Sequence, residues 1–234
     1  MLEALLFDVD GTLAETEEVH RLAFNEAFAQ AGLDWEWGQE LYYELLSVTG
    51  GKERILYHVE RCGLEKAFFT KDYIANLHAK KTENYVAMMD EGRVELRPGI
   101  RQLLEDARAS GIRLAVTTTT SHVNVERLLK ATIGPQALSW FEVYATGDKV
   151  PRKKPDPAIY QLALDELKLP ASSCLAIEDA AQGMASSLGA GVATIITESS
   201  YSAGQDFIGA LKVYGLNDGP PTFSELQDLF KQLA

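Results

Sequence analysis

Three observations predict an α/β chain with a doubly wound parallel sheet, a Rossmann-like core interrupted by a small α-helical cap domain. Apolar runs at 5–7, 114–116 and 175–177 show no polar alternation, so they read as strands buried on both faces. Helical patterns follow these runs, giving the rhythm of βα units. The first two runs lie about a hundred residues apart, far more than one crossover helix needs, so a separate unit is inserted between them. The expected boundaries are 1–15 and 94–234 for the core and 16–93 for the cap.

The first strand ends in Asp8-Val9-Asp10-Gly11. Side chains alternate along a strand, so Asp8 and Asp10 share a direction, and two like charges that close need a cation or a proton between them. A magnesium ion is the natural partner. Read alone, Asp-Gly is also simply a turn that closes a strand. In the insert, Val19, Leu22, Ala23, Ala27 and Gln30 fall on one helical spacing, and Tyr73, Leu77, Lys80, Asn84 and Met88 on another. Arg97-Pro98-Gly99 marks the return to the core. An amphipathic helix through Ile100, Leu103, Leu104 and Ala107 then stops at Gly111.

A strand at 114–118 runs into threonines. Thr117 and Thr119 read as β-favouring, while Thr118 is the candidate phosphate-binding hydroxyl, with Thr119 and Thr120 beside it as substrate contacts. After a strand at 142–145 comes Lys153-Lys154-Pro155-Asp156-Pro157. Pro157 suits a helix's first turn and Asp156 its cap, while Pro155 holds Lys154 extended and aims its ammonium. A strand at 175–178 ends in Glu178-Asp179, and a helix opens at Ala180-Ala181-Gln182-Gly183. Adjacent acids at a strand end repel one another unless a cation sits there. A strand at 192–196 follows, and Thr222 with Glu225 forms a capping box for a last helix through Leu233.

Composition narrows the partners. The 234 residues carry 22 Lys and Arg against 34 Asp and Glu, a net charge of −12, which argues against nucleic acid and anionic membrane surfaces. Any anionic substrate then needs a local basic cluster. Cys62 and Cys174 read as two buried thiols, consistent with a reducing compartment. Without an eighteen-residue apolar run or a charged-then-apolar leader, the expectation is a soluble monomer in the cytoplasm, or in a plastid stroma if a transit peptide has been removed. In the cap, Gly50 and Gly51 let backbone N–H groups approach an anion that Lys52 or Arg54 could neutralise; the same residues also read as a helix boundary with a solvated first turn. Glu17, His20, Tyr42 and Lys81 complete the candidate substrate contacts.

Taken in order, Asp8-x-Asp10, Thr118, Lys154 and Glu178-Asp179, each at a strand terminus, resemble the four motifs of the haloacid dehalogenase superfamily, over residues 2 to about 196. The resemblance implies that Asp8 attacks phosphorus and that Asp10 protonates the leaving oxygen and then activates water. It further implies that Thr118 and Lys154 bind the transferring phosphoryl group, and that Glu178 and Asp179 join Asp8 and Asp10 at Mg2+. Segments 14–20, 49–55 and 117–121 look like the CbbY-type phosphatases of the carbon-fixation pathway, which resemble β-phosphoglucomutase in cap type. Glu15 favours that subgroup, while Ala180 departs from the serine or threonine often found after the acidic pair. The implied reaction is hydrolysis of xylulose 1,5-bisphosphate, a misfire product of Rubisco, to xylulose 5-phosphate. A sugar phosphomutase, another sugar-phosphate phosphatase and a non-catalytic sugar-phosphate-binding protein are the alternatives.

Overall fold

Unbroken apolar sequence places the first strand in the middle of the sheet. The computed structural model describes residues 1–233. In chain order the elements are β1 (Ala4–Phe7), α1 (Glu17–Gln30), α2 (Gln39–Leu45), α3 (Gly51–Arg61), α4 (Lys71–Asp90), α5 (Ile100–Ala109), β2 (Arg113–Thr117), α6 (His122–Thr132), β3 (Val143–Ala145), α7 (Ala158–Leu167), β4 (Cys174–Glu178), α8 (Ala181–Gly189), β5 (Ala193–Thr197), β6 (Lys212–Tyr214) and α9 (Phe223–Lys231). The sheet has the order β3-β2-β1-β4-β5-β6 and every pairing is parallel. Strand order reverses between β1 and β4, and crevices for ligands open at the carboxyl ends of strands at such a point.

The chain divides into two compact units, Met1–Glu15 with Glu95–Ala234, and Thr16–Val94. In the first, Ala4, Leu6, Ala115, Ala145 and Ala176 line a face of the sheet on which Ile159, Tyr160, Ala163 and Leu167 of α7 pack. Small side chains on the strands let that helix sit close. The expected strands lie within one residue of those observed, and α5 buries Ile100, Leu103, Leu104 and Ala107. β6 was not expected; it is a three-residue strand with exposed or half-buried residues at the sheet's edge. α7 starts at Ala158, so Pro157 stands at its N-cap and not in its first turn; Asp156 Oδ1 accepts from the Ala158 N–H at 3.0 Å, and the Lys154–Pro155 peptide is cis. The Thr222–Glu225 capping box is present, though α9 ends at Lys231.

In the second unit α1 packs along α4, and Trp37 is enclosed by Phe24 and Phe28 at centroid distances of 4.7 and 4.8 Å. Asn25 holds the Trp37 backbone at both its N–H and its C=O. The buried faces differ from the expected spacings. α4 buries Ile74, Leu77, Lys81, Tyr85 and Met89, and α1 buries Val19, His20, Ala23, Phe24, Ala27 and Phe28 while Gln30 is exposed. Val19, Ala23, Ala27 and Leu77 lie on both the expected and the observed faces, while the rest of the α4 stripe lies one residue further along than expected, where it includes a buried lysine. No helix among the described residues is long and apolar enough to cross a membrane.

Cys62 is exposed, against the expectation of two buried thiols, because it caps the end of α3 where the chain turns outward. Cys174 is buried in β4, and burial, with the nearby Glu3 carboxylate, pushes its thiol up to about 11. Thiolate is the reactive form. A disulfide-exchange dye at neutral pH should therefore titrate one thiol quickly in the folded protein and the second only in denaturant; two fast thiols would contradict this packing.

Candidate active site

Register brings the acids together. Phe7 pairs with Ile177, and the Asp8 N–H donates to Ile177 O at 3.0 Å, so Asp8 emerges from β1 beside Glu178, the last residue of β4. Asp179 is next in the chain. Carboxylate oxygens of Asp8, Glu178 and Asp179 all lie within 4.8 Å of one another, and all three residues are buried. Asp10 stands outside this trio, half-buried in the following turn, and its charge acts on Asp8.

Lys154 neutralises part of this charge. Its buried ammonium donates to Asp8 Oδ1 and to Glu178 Oε1, both at 2.6 Å. Burial alone would lower the Lys154 pKa, but attraction to the two carboxylates and the two hydrogen bonds raise it above its ordinary value, so the group stays charged. Burial, reinforced by Glu178, Asp179 and Asp10, holds the Asp8 carboxyl well above the usual range despite Lys154. Burial also raises Glu178, against the pull of Lys154 and Tyr160. One ammonium cannot balance three buried carboxylates. A buried, all-oxygen, net-negative donor set suits a hard divalent cation.

Four residues given no site role from the sequence complete the arrangement. The Tyr160 hydroxyl donates to Glu178 Oε1, and Ser199 Oγ donates to Asp179 Oδ2 at 2.6 Å. Arg97 binds the turn after β1. Gln205 Oε1 accepts from the Ala181 N–H at 2.9 Å, capping α8 where Ala180 has no hydroxyl to do so. Tyr160 was readable only as a core position of α7, while Ser199 and Gln205 fall in a stretch without periodicity. Two glycines are required by close approach. A Cβ on Gly11, which has φ +81°, would overlap the Asp179 carboxylate, and one on Gly183 would overlap that of Glu178.

Thr118 is buried just past β2, its N–H donating to Ala145 O at 3.0 Å and its Oγ1 accepting from the Thr120 N–H at 3.2 Å. Thr119 and Thr120 are half-buried beside it. Within the second unit, the candidates sort into two groups. Tyr42 donates to Glu17 Oε2 at 2.8 Å and accepts from Arg54 at 2.9 Å. Lys81, buried with its ammonium 4.9 Å from the ring centres of both Phe24 and Tyr85, lies 2.5 Å from His20 Nδ1, and His20 stacks on Tyr85 at 3.9 Å. With the ammonium donating, Nδ1 accepts and the ring hydrogen is assigned to Nε2. Gly50 and Gly51 open α3, and Lys52 is exposed there in neither group.

A family model described as haloacid dehalogenase-like hydrolase matches residues 2–191. Protein CbbY of Rhodobacter capsulatus is 51% identical over 209 residues, covering 89% of this chain and 91% of its own. The crystal structure of CbbY from Rhodobacter sphaeroides in complex with phosphate superposes with a TM-score of 0.86 at 48% identity, covering 97% of this chain and 96% of that one. A mutant of that protein in complex with xylulose-(1,5)bisphosphate gives a TM-score of 0.85 at 49% identity, with 91% and 93% coverage. The chain belongs to the haloacid dehalogenase-like hydrolases and is a phosphoric monoester hydrolase. Within that superfamily its likeness is to the CbbY proteins.

Two outcomes follow from the geometry. Gly→Ala in a helix ordinarily stabilises by about 0.5–1 kcal/mol, yet Gly183→Ala should destabilise because the methyl displaces Glu178; urea unfolding checks this, and a more stable variant would contradict the packing. Carboxyls whose folded pKa is raised contribute stability that is present below the unfolded pKa and lost as pH climbs through the folded value. A cation that replaces the proton relieves that loss. If a divalent cation binds these carboxylates, the rise in Tm on adding it should therefore grow as pH climbs above the ordinary carboxyl range, and a constant or shrinking rise would contradict it.

Proposed function

We propose that this chain is a Mg2+-dependent sugar-phosphate phosphatase that works through an aspartyl-phosphate on Asp8, with xylulose 1,5-bisphosphate as its substrate. The observation that carries the reading is the buried Asp8 carboxylate at the sheet's reversal point, held by Lys154 beside Glu178 and Asp179. The substrate assignment is supported by the relative bound to xylulose-(1,5)bisphosphate, 49% identical to this chain.

Asp8 Oδ attacks phosphorus; a new O–P bond forms as the ester P–O bond breaks. A carboxylate nucleophile divides one hard displacement into two easier ones. Asp10 donates its proton to the departing sugar oxygen. In the second half, Asp10 takes a proton from water, the hydroxide attacks the aspartyl-phosphate, and phosphate leaves with Asp8 restored. Phosphoryl transfer spreads negative charge over the equatorial oxygens, so positioned donors and cations supply most of the catalysis. Lys154 and the Thr118 hydroxyl serve that purpose, with Thr119 and Thr120 as further donors. Asp8, Glu178 and Asp179, with Asp10, would hold Mg2+, which supplies positive charge against the repulsion between carboxylate and phosphate. In the inserted unit, Glu17, Tyr42 and Arg54, with His20, Lys81 and the Gly50-Gly51-Lys52 helix start, are assigned to the sugar hydroxyls and distal phosphate. A cytoplasmic or stromal monomer acting beside carbon fixation fits that substrate.

Purified protein incubated with MgCl2 and xylulose 1,5-bisphosphate should release one phosphate per sugar. Isomerised sugar phosphate with little free phosphate would favour a mutase and contradict hydrolysis. Asp8→Asn should lower kcat by at least about a thousandfold while calorimetry still detects substrate binding; retained turnover in that variant would remove Asp8 as the nucleophile.

A further inference from the structure

Arg97 is a buried arginine at the carboxyl edge of the sheet whose side-chain bonds go to the turn after β1, to the last residue of β5 and to the residue that follows it. Its NH1 donates to Gly11 O at 2.6 Å, Thr197 O at 2.8 Å and Thr197 Oγ1 at 3.0 Å, and its NH2 donates to Glu198 O at 2.7 Å. Its own N–H donates to Leu13 O at 2.9 Å, and the exposed Glu15 carboxylate lies 3.6 Å from Nε. These acceptors belong to two segments far apart in sequence, the turn after β1 and the end of β5 with the start of the loop that follows it. A planar, five-donor fork is the one side chain able to satisfy several carbonyls across such a gap.

Both segments enclose Asp179. Gly11 approaches its carboxylate so closely that a Cβ has no room, and Ser199, next to Glu198, donates to Asp179 Oδ2. Ser199 is fixed in turn, its N–H donating to Ser202 Oγ at 2.8 Å. We propose that Arg97 is a positioning residue for the divalent cation, tying together the Gly11 turn and the Ser199 loop so that the Asp179 carboxylate is held in one orientation. The inference rests on the metal site proposed above. It separates Arg97 from Lys154, which contacts the carboxylates directly. Outer partners of a metal ligand ordinarily contribute 10–100-fold in affinity.

The test is calorimetric titration of Mg2+ alone into the wild-type protein, Arg97→Lys, Ser199→Ala and the double variant, with thermal unfolding in parallel. Arg97→Lys keeps the charge and loses the fork. Each single variant should weaken Mg2+ binding by roughly tenfold, and the double variant should weaken it little beyond the larger single effect, because both changes act on one carboxylate. A purely structural Arg97 would lower Tm and leave Mg2+ affinity unchanged, and that result overturns the proposal. So do single effects that multiply in full. If Arg97→Lys does not fold, Thr197→Val removes one of its acceptors, and unchanged Mg2+ affinity in both Thr197→Val and Ser199→Ala overturns the inference. Absence of Mg2+ binding by the wild type would defeat the metal site itself; wild-type binding with unaltered variants defeats only the role of Arg97.

Discussion

The Lys154 ammonium shared between Asp8 and Glu178 is the interaction on which the carboxyl edge of the sheet depends. Parallel pairing of Phe7 with Ile177 puts those two acids side by side whatever their charge. Without a buried cation, desolvated carboxylates at that spacing would be strongly unfavourable, and loss of one partner from such a group costs about 3–5 kcal/mol. Tyr160 is brought to the same carboxylate by a helix whose other buried residues, Ile159, Ala163 and Leu167, pack on the sheet, so core packing and site geometry share one element. What Lys154 leaves uncompensated is negative charge shared by three buried carboxyl groups, a donor set that suits a divalent cation.

The sheet was legible because strands buried on both faces advertise themselves as unbroken apolar runs, and β1, β2 and β4 fall within a residue of their expected places. The acids were legible for the opposite reason: Glu178-Asp179 has no packing value at the end of an apolar strand. Where polar residues sit in buried positions for reasons of partnership, apolar spacing misleads. Lys81 and His20 belong to the inner faces of their helices, and a spacing counted from Tyr73 instead of Ile74 fell one residue early, on Lys80. β6 escaped notice because an edge strand of Lys212-Val213-Tyr214 buries too little to leave a pattern. Gln205, which caps a helix beginning 24 residues earlier, carries no local signal at all.

The inserted unit makes the same point from within. Arg54 and Lys81 are charged residues buried in a helical core, and each is met by named groups: Tyr42 and the Leu45 carbonyl for one, His20 and two aromatic faces for the other. A helical unit of this size could be stabilised more simply by leucine at those positions. Local breaches of the hydrophobic rule are expected where a fold serves recognition or chemistry, and these buried polar pairs are the inserted unit's instances of such breaches.

The position of β1 has a consequence for biogenesis. Ala4 pairs with Arg113 on one side and with Cys174 on the other, so β1 is flanked by strands translated much later than itself. Distant pairings of this kind slow acquisition of the native state. Residues 16–94, by contrast, have all their internal partners at hand once they are synthesised. The nascent protein therefore carries an apolar tetrapeptide, Ala4-Leu5-Leu6-Phe7, without its neighbours until most of the polypeptide exists, an interval in which chaperones would find a natural client.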